Sequence, residues 1–179
     1  LADKGAGKSA FKMPARQGEL HVSFRKIPPE PLPFTDVPEG AWYADAAAYV
    51  YEHGLMAGTS TTTFAPGATT SRSMIATILW RMAGSPVVNY AMDYTDVAGD
   101  SEYAEAIRWA TSEQLVSGYG NGTFGPDDGV TVSQAVTIAL RLLGYTDADI
   151  GPFWPEDYLS RAEELGLLEG ISSDGNHLL

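Results

Sequence analysis

The sequence predicts an all-α fold built from tandem helix–loop–helix repeats. Three observations support this fold class: one segment recurs sixty residues further on, apolar residues follow helical spacing within each copy, and capping residues and glycines stand where helices would begin and end. A single pair of helices cannot bury both of its apolar faces. The copies are therefore expected to pack on one another.

The first 33 residues differ from the rest of the chain. Residues 9–13 and 20–26 alternate apolar and polar side chains around the turn-rich stretch 14–18, which predicts a β-hairpin over residues 1–27. A lone hairpin is marginal in water, so we interpret it as the remnant of an upstream β domain. Residues 28–33 are rich in proline and predict a stiff linker. Because the chain begins at Leu1, we interpret it as an internal fragment of a larger protein.

The repeats begin at Phe34. Residues 34–84 align with residues 94–144 without a gap, and 16 of these 51 positions are identical, far more than composition alone would give. We assign repeat 1 to residues 34–93, repeat 2 to residues 94–144 and a partial repeat 3 to residues 145–179. In repeat 3, Trp154 falls where Trp42 does in repeat 1. The third copy stops before any counterpart of the second helix.

The first helix of each repeat is clearest in repeat 2. One apolar face is formed by side chains at positions i, i+3, i+4 and i+7, namely Tyr103, Ala106, Ile107 and Ala110. Gly54 and Gly166 are placed to end the corresponding helices of repeats 1 and 3 in the left-handed conformation. A glycine-rich loop follows, with a Phe-x-Pro that can fix it to the core.

The second helix carries a comparable apolar stripe, Ile75, Ile78, Leu79 and Met82 in repeat 1 and Ala135, Ile138, Ala139 and Leu142 in repeat 2. Thr131 and Gln134 have the spacing of a capping box, in which each side chain accepts a hydrogen bond from the other residue's backbone. In repeat 1, Ser71 retains the capping hydroxyl, but Met74 stands at the position of Gln134, the second member of the capping box in repeat 2. These residues predict helix starts in both copies.

Composition excludes several classes of function. The net charge is −12 with only eleven lysines and arginines, so the chain lacks the basic surface that binding to nucleic acid requires. The absence of cysteine excludes disulfides and thiolate metal sites. No apolar run is long enough for a membrane span, so we expect no membrane insertion.

The order of the repeated motifs identifies a family. Phe-Thr-Asp-Val at 34–37, Gly-Leu-Met-x-Gly at 54–58, Thr-Phe-x-Pro at 63–66 and a helix from Ser71-Arg72 to Gly84 together resemble the S-layer homology (SLH) domain of bacterial surface proteins. The resemblance covers about residues 34–170. It implies two helices per repeat and three repeats closing into a pseudo-threefold spindle. It also implies non-covalent binding of secondary cell-wall polymers, often with pyruvylated amino sugars, in grooves between repeats.

Arg72 is the first candidate binding residue. An arginine in the first turn opposes the helix dipole and is not needed for capping, whereas a guanidinium beside free backbone N–H groups suits a carboxylate. A solvated or salt-bridged surface arginine is the structural alternative, and the family resemblance favours ligand binding. Repeat 2 has Val132 at this position, so the sequence places the working site in repeat 1 and predicts that the repeat 2 groove is weak for an acidic sugar.

For the other candidates a structural role is favoured over binding. Ser71 caps the helix beside Arg72. Asp36 and Asp96 can accept hydrogen bonds from sugar hydroxyls or hold a turn at the start of each repeat. Three tryptophans can stack on a sugar face or fill the core: Trp42, Trp109 and Trp154. Arg81 and Arg141 lie near helix C-termini, where a cation suits the dipole, and we interpret both as structural.

Rival functions have weaker support. The scattered carboxylates and the three histidines form no catalytic constellation, so we expect no enzyme and no cofactor. Calcium binding would rest on residues 93–102 and 125–129, which lack the ligand spacing of an EF-hand loop. A self-association scaffold without glycan binding stays open, because another chain could complete the third repeat and give a homo-oligomer.

The sequence therefore predicts an extracellular, cell-wall-associated module of an exported bacterial protein. Its expected role is non-covalent anchoring, and its expected partner is secondary cell-wall polysaccharide or a peptidoglycan-linked glycan. The scaffold without glycan binding is the alternative.

Overall fold

The computed structural model describes residues 31–169, and within this range the fold is all-α, as predicted. The helices are α1 (Ala44–Glu52), α2 (Arg72–Met82), α3 (Ala104–Ser112), α4 (Val132–Leu142), α5 (Asp147–Ile150) and α6 (Glu156–Glu164). The described residues form no strand, and their only β pairing is one isolated bridge between Ser71 and Gly129. The predicted β-hairpin, the first part of the linker and the end of repeat 3 lie outside the described residues.

The first helices end in left-handed residues. Gly54 follows α1 with φ +66° and Gly166 follows α6 with φ +72°, which confirms the predicted stops. Repeat 2 has Gln114 at this position, with φ +58°, although it carries a side chain. The same backbone turn therefore ends all three helices, and only two of them use the residue that adopts it most easily.

The second helices begin at the predicted caps. The Ser71 hydroxyl accepts a hydrogen bond from the Met74 backbone N–H at 3.3 Å at the start of α2. At the start of α4, Thr131 and Gln134 form the complete capping box, with bonds of 3.4 and 3.2 Å. Residues that satisfy the free N–H groups of a helix start determine where each helix begins.

Neighbouring repeats pack second helix against first helix. Helix α2 packs on α3, α4 packs on α6, and the short α5 also packs on α6. The predicted face of α3 is confirmed, since Ala106, Ile107 and Ala110 are fully buried. The stripes predicted for the second helices are wrong at their C-terminal ends, where Met82 is 53% and Leu142 46% exposed, and α4 instead buries Val136 and Leu140.

Backbone atoms join repeat 1 to repeat 2 at the start of α2. Ser71 and Gly129 form an antiparallel bridge, and the Val130 N–H donates to the Thr70 carbonyl at 2.9 Å. The N–H groups of Arg72 and Ser73 donate to the carbonyls of Asp128 and Pro126, at 2.9 and 3.0 Å. The loop of one repeat thereby accepts the hydrogen bonds that the helix start of the preceding repeat would otherwise leave unmade.

Helix α1 differs from its counterparts in packing. Within residues 31–169 no other helix packs against it, whereas α3 and α6 each lie against a second helix. Ala47 is the only residue of α1 that is buried, and Tyr49 is 55% exposed. The helix face that α3 and α6 each bury against a second helix therefore has no helix packed on it in α1, within residues 31–169.

Candidate functional site

Two grooves lie beside the second helices. Groove 1 has a volume of about 350 Å³ and is bounded by residues 55–59, one side of α2, and Glu102 and Tyr103. Groove 2 has a volume of about 200 Å³ and is bounded by residues 115–117, one side of α4, and Trp154 and Arg72. Seven lining positions of groove 1 recur sixty residues later in groove 2, so the two grooves are equivalent parts of successive repeats.

Arg72 is almost fully buried, with 6% of its surface exposed. Its Nε donates to the Phe124 carbonyl at 2.9 Å and its Nη2 to the Ser117 carbonyl at 2.6 Å. The guanidinium carbon lies 4.6 Å from the centre of the Tyr119 ring and 4.8 Å from that of Phe124. Two carbonyls and two aromatic rings hold the side chain in one place, and Nη1 makes no hydrogen bond with any described residue.

The position of Arg72 corrects the assignment of the grooves. Although the residue begins α2 of repeat 1, its guanidinium reaches across to the loop of repeat 2 and lines groove 2. The expectation of free backbone N–H groups beside it is wrong, because the carbonyls of Asp128 and Pro126 and the hydroxyl of Ser71 accept their hydrogen bonds. The groove along α4, expected to be weak because of Val132, is the one that contains an arginine from the preceding repeat.

Trp154 lies in the same groove as Arg72. It is 54% exposed, and its Nε1 donates to the Thr137 hydroxyl at 3.0 Å, which orients the indole beside α4. Arg141, one turn further along α4, also lines groove 2, and its Nη2 lies 3.9 Å from an Asp147 carboxylate oxygen. The structure therefore brings together one predicted arginine, one predicted tryptophan and a second arginine that the sequence analysis treated as structural.

Groove 2 is cationic in an otherwise acidic molecule. Residues 31–169 contain five arginines, no lysine and nineteen aspartates and glutamates, and two of the five arginines line this groove. Among the described residues no carboxylate lines this groove, although Asp147 lies near Arg141 at the rim. Such a site attracts an anion that the rest of the surface repels.

Asp36 and Asp96 hold the loops of their own repeats. The two carboxylate oxygens of Asp36 accept hydrogen bonds from the N–H groups of Phe64 and Ala65 at 2.8 and 2.7 Å. Asp96 repeats this geometry with Phe124 and Gly125, at 2.8 and 2.7 Å. Every oxygen of both carboxylates is thus bonded to the backbone, which corresponds to the turn role that the sequence analysis favoured.

Hydrogen bonding to the charged form determines how these aspartates ionise. The backbone N–H of Phe64, and then that of Ala65, lower the pKa of Asp36 despite an opposing effect of burial. Burial alone would raise the pKa of Asp96, but the N–H groups of Phe124 and Gly125, with the nearby charge of Arg72, lower it overall. Both carboxylates therefore favour the ionised state in the folded chain.

The other two tryptophans that were predicted as sugar-stacking residues lie outside the grooves. Trp109 is 7% exposed and belongs to the core cluster around α2 and α3, so its ring faces contact protein. Trp42 is 79% exposed and packs edge-to-face on Tyr43, with 5.5 Å between ring centres. It borders a shallow apolar depression on α1 that also includes Val50 and Pro66.

Sequence reasoning missed Tyr119 and Arg141. Tyr119 stacks against Arg72 and donates its hydroxyl hydrogen bond to Asp128 at 2.8 Å, and burial together with this bond raises the pKa of the phenol. Arg141 follows Thr137 by four residues and so shares its side of α4, a spacing that could have placed it beside the groove. No comparable signal identifies Tyr119, because its contact depends on how two repeats meet.

The described residues do not offer a metal site. Between residues 31 and 169 no group of three or more histidines, aspartates and glutamates is arranged to hold a metal ion. Within the stretches that suggested calcium, Asp96 is bonded to backbone N–H groups and Asp128 to Tyr119. A search of the same residues also finds no helix with the length and apolar character needed to cross a membrane.

Comparison with known proteins agrees with the repeat structure. The model of the S-layer homology domain matches residues 33–73 and 93–135. The chain is 32% identical over 145 residues to a cell surface protein of Thermoanaerobacter kivui, an alignment covering 78% of this chain and 18% of that protein. It is 31% identical over 124 residues to a surface layer protein of Brevibacillus choshinensis, covering 67% of this chain and 11% of that protein.

A third relative is named for anchoring. A cellulosome-anchoring protein of Acetivibrio thermocellus is 25% identical over 160 residues, which cover 79% of this chain and 34% of that protein. The chain spans less than a fifth of the length of the first two relatives. Their names place the chain at the outer surface of the cell, as the sequence predicted. With its two matched repeats and its second-helix-on-first-helix packing, the chain belongs to the S-layer homology domain family.

Proposed function

We propose that this chain anchors an exported bacterial protein to the cell wall by binding secondary cell-wall polysaccharide in its inter-repeat grooves, with an acidic sugar such as a pyruvylated one in groove 2. The observation that carries the proposal is the convergence of Arg72, Arg141 and Trp154 on one groove of an acidic chain. Surface proteins of several bacteria share these repeats, which agrees with a role in attachment rather than catalysis.

The chemistry of groove 2 suits a sugar that carries a carboxylate. Nη1 of Arg72 can donate to a carboxylate oxygen. Arg141, which belongs to α4, supplies a second guanidinium to the same groove. Trp154 offers an exposed indole on which the apolar face of a sugar ring can stack. Gln134 and Thr137 add polar groups for hydroxyls.

The rigidity of Arg72 favours affinity. Its guanidinium is already fixed by the carbonyls of Phe124 and Ser117, so little side-chain entropy is lost when a ligand binds. An exposed arginine would lose much more freedom on forming the same contact. A buried arginine also cannot be replaced without structural cost, so exposed groove residues give the cleaner test.

The experiment measures retention of the chain on purified cell wall, with and without its secondary polymer. We expect the wild type to bind only the complete wall. Trp154→Ala and Arg141→Ala should each weaken retention about tenfold, since one stacking or charged contact contributes roughly 1.5 kcal/mol. Arg108→Ala removes the same charge from α3, where Arg108 pairs with Glu105 outside both grooves, and should bind like the wild type.

Arg72→Ala and Arg72→Lys complete the series, and thermal melting of each variant accompanies the binding measurement. Arg72→Lys retains the charge but replaces the planar guanidinium, whose separate nitrogens reach both carbonyls and a ligand, with a single nitrogen, so weaker retention of a folded protein supports a direct contact. Equal retention of the wild type, Trp154→Ala and Arg141→Ala would refute the site. Failure of the wild type to bind any wall preparation would refute the anchoring proposal.

The second candidate is a scaffold that self-associates without binding glycan. Helix α1 favours it, because no helix within residues 31–169 packs against it and a second copy of the chain could pack there as α2 packs on α3. Light scattering at two concentrations tests this idea, since a dimer should increase with concentration. A monomer at both concentrations rejects it.

A further inference from the structure

Groove 1 is equivalent to groove 2 in position but differs from it in chemistry. Glu102 stands where groove 2 has Trp154, and Met74 stands where groove 2 has Gln134. Among the described residues no arginine from a preceding repeat reaches groove 1, as Arg72 reaches groove 2. The larger groove has therefore lost the features that would hold an anion.

The single cation of groove 1 is partly engaged. Arg81 Nη1 donates to the Leu55 carbonyl at 2.9 Å, and Glu102 is a lining residue of the same groove. Groove 2 by contrast has two arginines and no lining carboxylate. An acidic sugar would meet one guanidinium and a repelling carboxylate in groove 1 but two guanidinium groups in groove 2, so Coulomb energy favours groove 2.

Groove 1 offers acceptors for hydroxyl groups. Thr77 donates to the Ser73 carbonyl at 2.8 Å, just as Thr137 donates to the Ser133 carbonyl at 2.8 Å. In groove 2 the Thr137 hydroxyl also accepts a hydrogen bond from Trp154, whereas no described residue donates to the Thr77 hydroxyl. The lone pairs of Thr77 and the carboxylate of Glu102 can both accept from a ligand.

The apolar part of groove 1 suits the C–H face of a sugar ring. Met56, Met74 and Tyr103 contribute two thioethers and one aromatic ring to its lining. Methionine side chains adapt to irregular surfaces, and an aromatic ring packs on apolar sugar faces. A volume of about 350 Å³ is within the usual range for small-molecule sites.

From these observations we propose that groove 1 is a second glycan subsite that is selective for an uncharged sugar residue. Glu102 and Thr77 accept hydrogen bonds from its hydroxyl groups, Met56 and Met74 contact its apolar face, and Glu102 repels acidic sugars. The inference rests on the proposed function, in which the grooves bind cell-wall glycan. It adds that the two grooves have different ligands.

The test uses matched sugars that differ by one carboxylate. Methyl glycosides of glucose, mannose and galactose are compared with the three corresponding uronic acid glycosides, and backbone amide shifts of the whole chain report where each binds. The neutral glycosides should shift Thr77 and Ile78 of groove 1, and the uronides Thr137 and Ile138 of groove 2. Glu102→Ala should weaken neutral binding at least fivefold and leave uronide binding in groove 2 unchanged.

A charge reversal sharpens the test. Glu102→Arg should allow the uronides to bind groove 1 at least tenfold more tightly than in the wild type. Glu113→Arg makes the same charge change on an exposed residue after α3, outside the groove lining, and should not have this effect. A gain that is equal in both variants would mean that net charge alone is responsible, and would overturn the selectivity of Glu102.

Two results separate this inference from the proposed function. If the uronides bind groove 2 while no neutral glycoside shifts groove 1, or if the uronides bind both grooves of the wild type equally, the inference fails and anchoring through groove 2 stands. If the wild type fails to bind complete cell wall but the neutral glycosides shift groove 1, the anchoring proposal fails and the sugar site stands.

Discussion

The starts of α2 and α4 share a scaffold but differ in what they bind. Both helices begin at a hydroxyl cap, yet Arg72 extends from α2 to two carbonyls and two rings of the next repeat, while Val132 lies in an apolar cluster with Leu140 and Tyr158. One repeat junction is therefore held by a buried cation and the other by apolar packing. The duplication kept the helix start and changed the contact beside it.

The largest expected effect follows from giving α2 the residue of α4. Arg72→Val leaves the carbonyls of Phe124 and Ser117 without their donor and removes the stacking on Tyr119, so the free energy of unfolding should fall by about 3 kcal/mol. Urea denaturation at neutral pH measures it. Arg108→Val, a change of the same size on the more exposed surface of α3, should cost less than about 0.5 kcal/mol. A loss below about 1 kcal/mol for Arg72→Val would show that the cation is dispensable at this junction.

The second prediction probes the apolar junction. Val132→Ala should lower the free energy of unfolding by about 2 kcal/mol, because the side chain is 1% exposed and its removal leaves a cavity between α4 and α6. Val87→Ala is the control, since Val87 is 84% exposed. Equal stability of the two variants would mean that the α4–α6 contact relaxes freely around the missing methyl groups.

The third prediction concerns what the two helix starts have in common. Ser71→Ala and Thr131→Ala should each cost about 1 kcal/mol, because each removes the acceptor of a helix N–H group. Thr131→Ser should restore most of the loss at α4, as measured by the midpoint of urea unfolding. Values that differ between the two alanine variants by more than about 1 kcal/mol would show that Arg72 and the cap do not act independently.

The smallest expected effect is a dependence of stability on acid pH. The pKa values of Asp36 and Asp96 are lower in the folded chain than the value of about 3.9 for an unfolded aspartate. Their stabilisation is therefore fully present well above the unfolded pKa, decreases as the pH approaches that value, and is lost as the pH falls through the folded pKa values. The melting temperature should decrease between pH 5 and pH 3.

Asparagine variants assign this acid loss to individual residues. Asp36→Asn and Asp96→Asn should each reduce the difference in melting temperature between pH 5 and pH 3, because each removes a carboxylate whose pKa is lowered in the folded chain. Asp100→Asn, at an exposed position outside these hydrogen bonds, serves as the reference. An acid sensitivity that is the same in all three variants would assign the effect to other carboxylates.

The sequence allowed the repeats, helix starts and helix stops to be predicted because these depend on local residues. The capping box at Thr131 and the turn at Gly54 need only a few neighbours, so their patterns are visible in the chain itself. The junctions are different. Trp154 lies 82 positions after Arg72, and only the packing of successive repeats places the two side chains in one groove.

The errors in the site prediction have the same origin. The helix start at Arg72 was expected to have free N–H groups, but carbonyls from residues 126 and 128 of the next repeat accept their hydrogen bonds. Trp109 has the size and polarity of a sugar-stacking residue, and its burial depends on where α2 packs. Sequence patterns gave the candidate residues, while the contacts between repeats decided which of them share a groove.

The bridge between Ser71 and Gly129 has a consequence for how such repeats can vary. Because main-chain atoms alone make this bridge and its neighbouring bonds, side chains there can be exchanged while the bonds persist. Inserting or deleting one residue between 125 and 130 would instead shift every donor relative to its acceptor. The junction should therefore tolerate many substitutions and very few changes in length, so drift in this family would preserve the spacing of the loop longer than its composition.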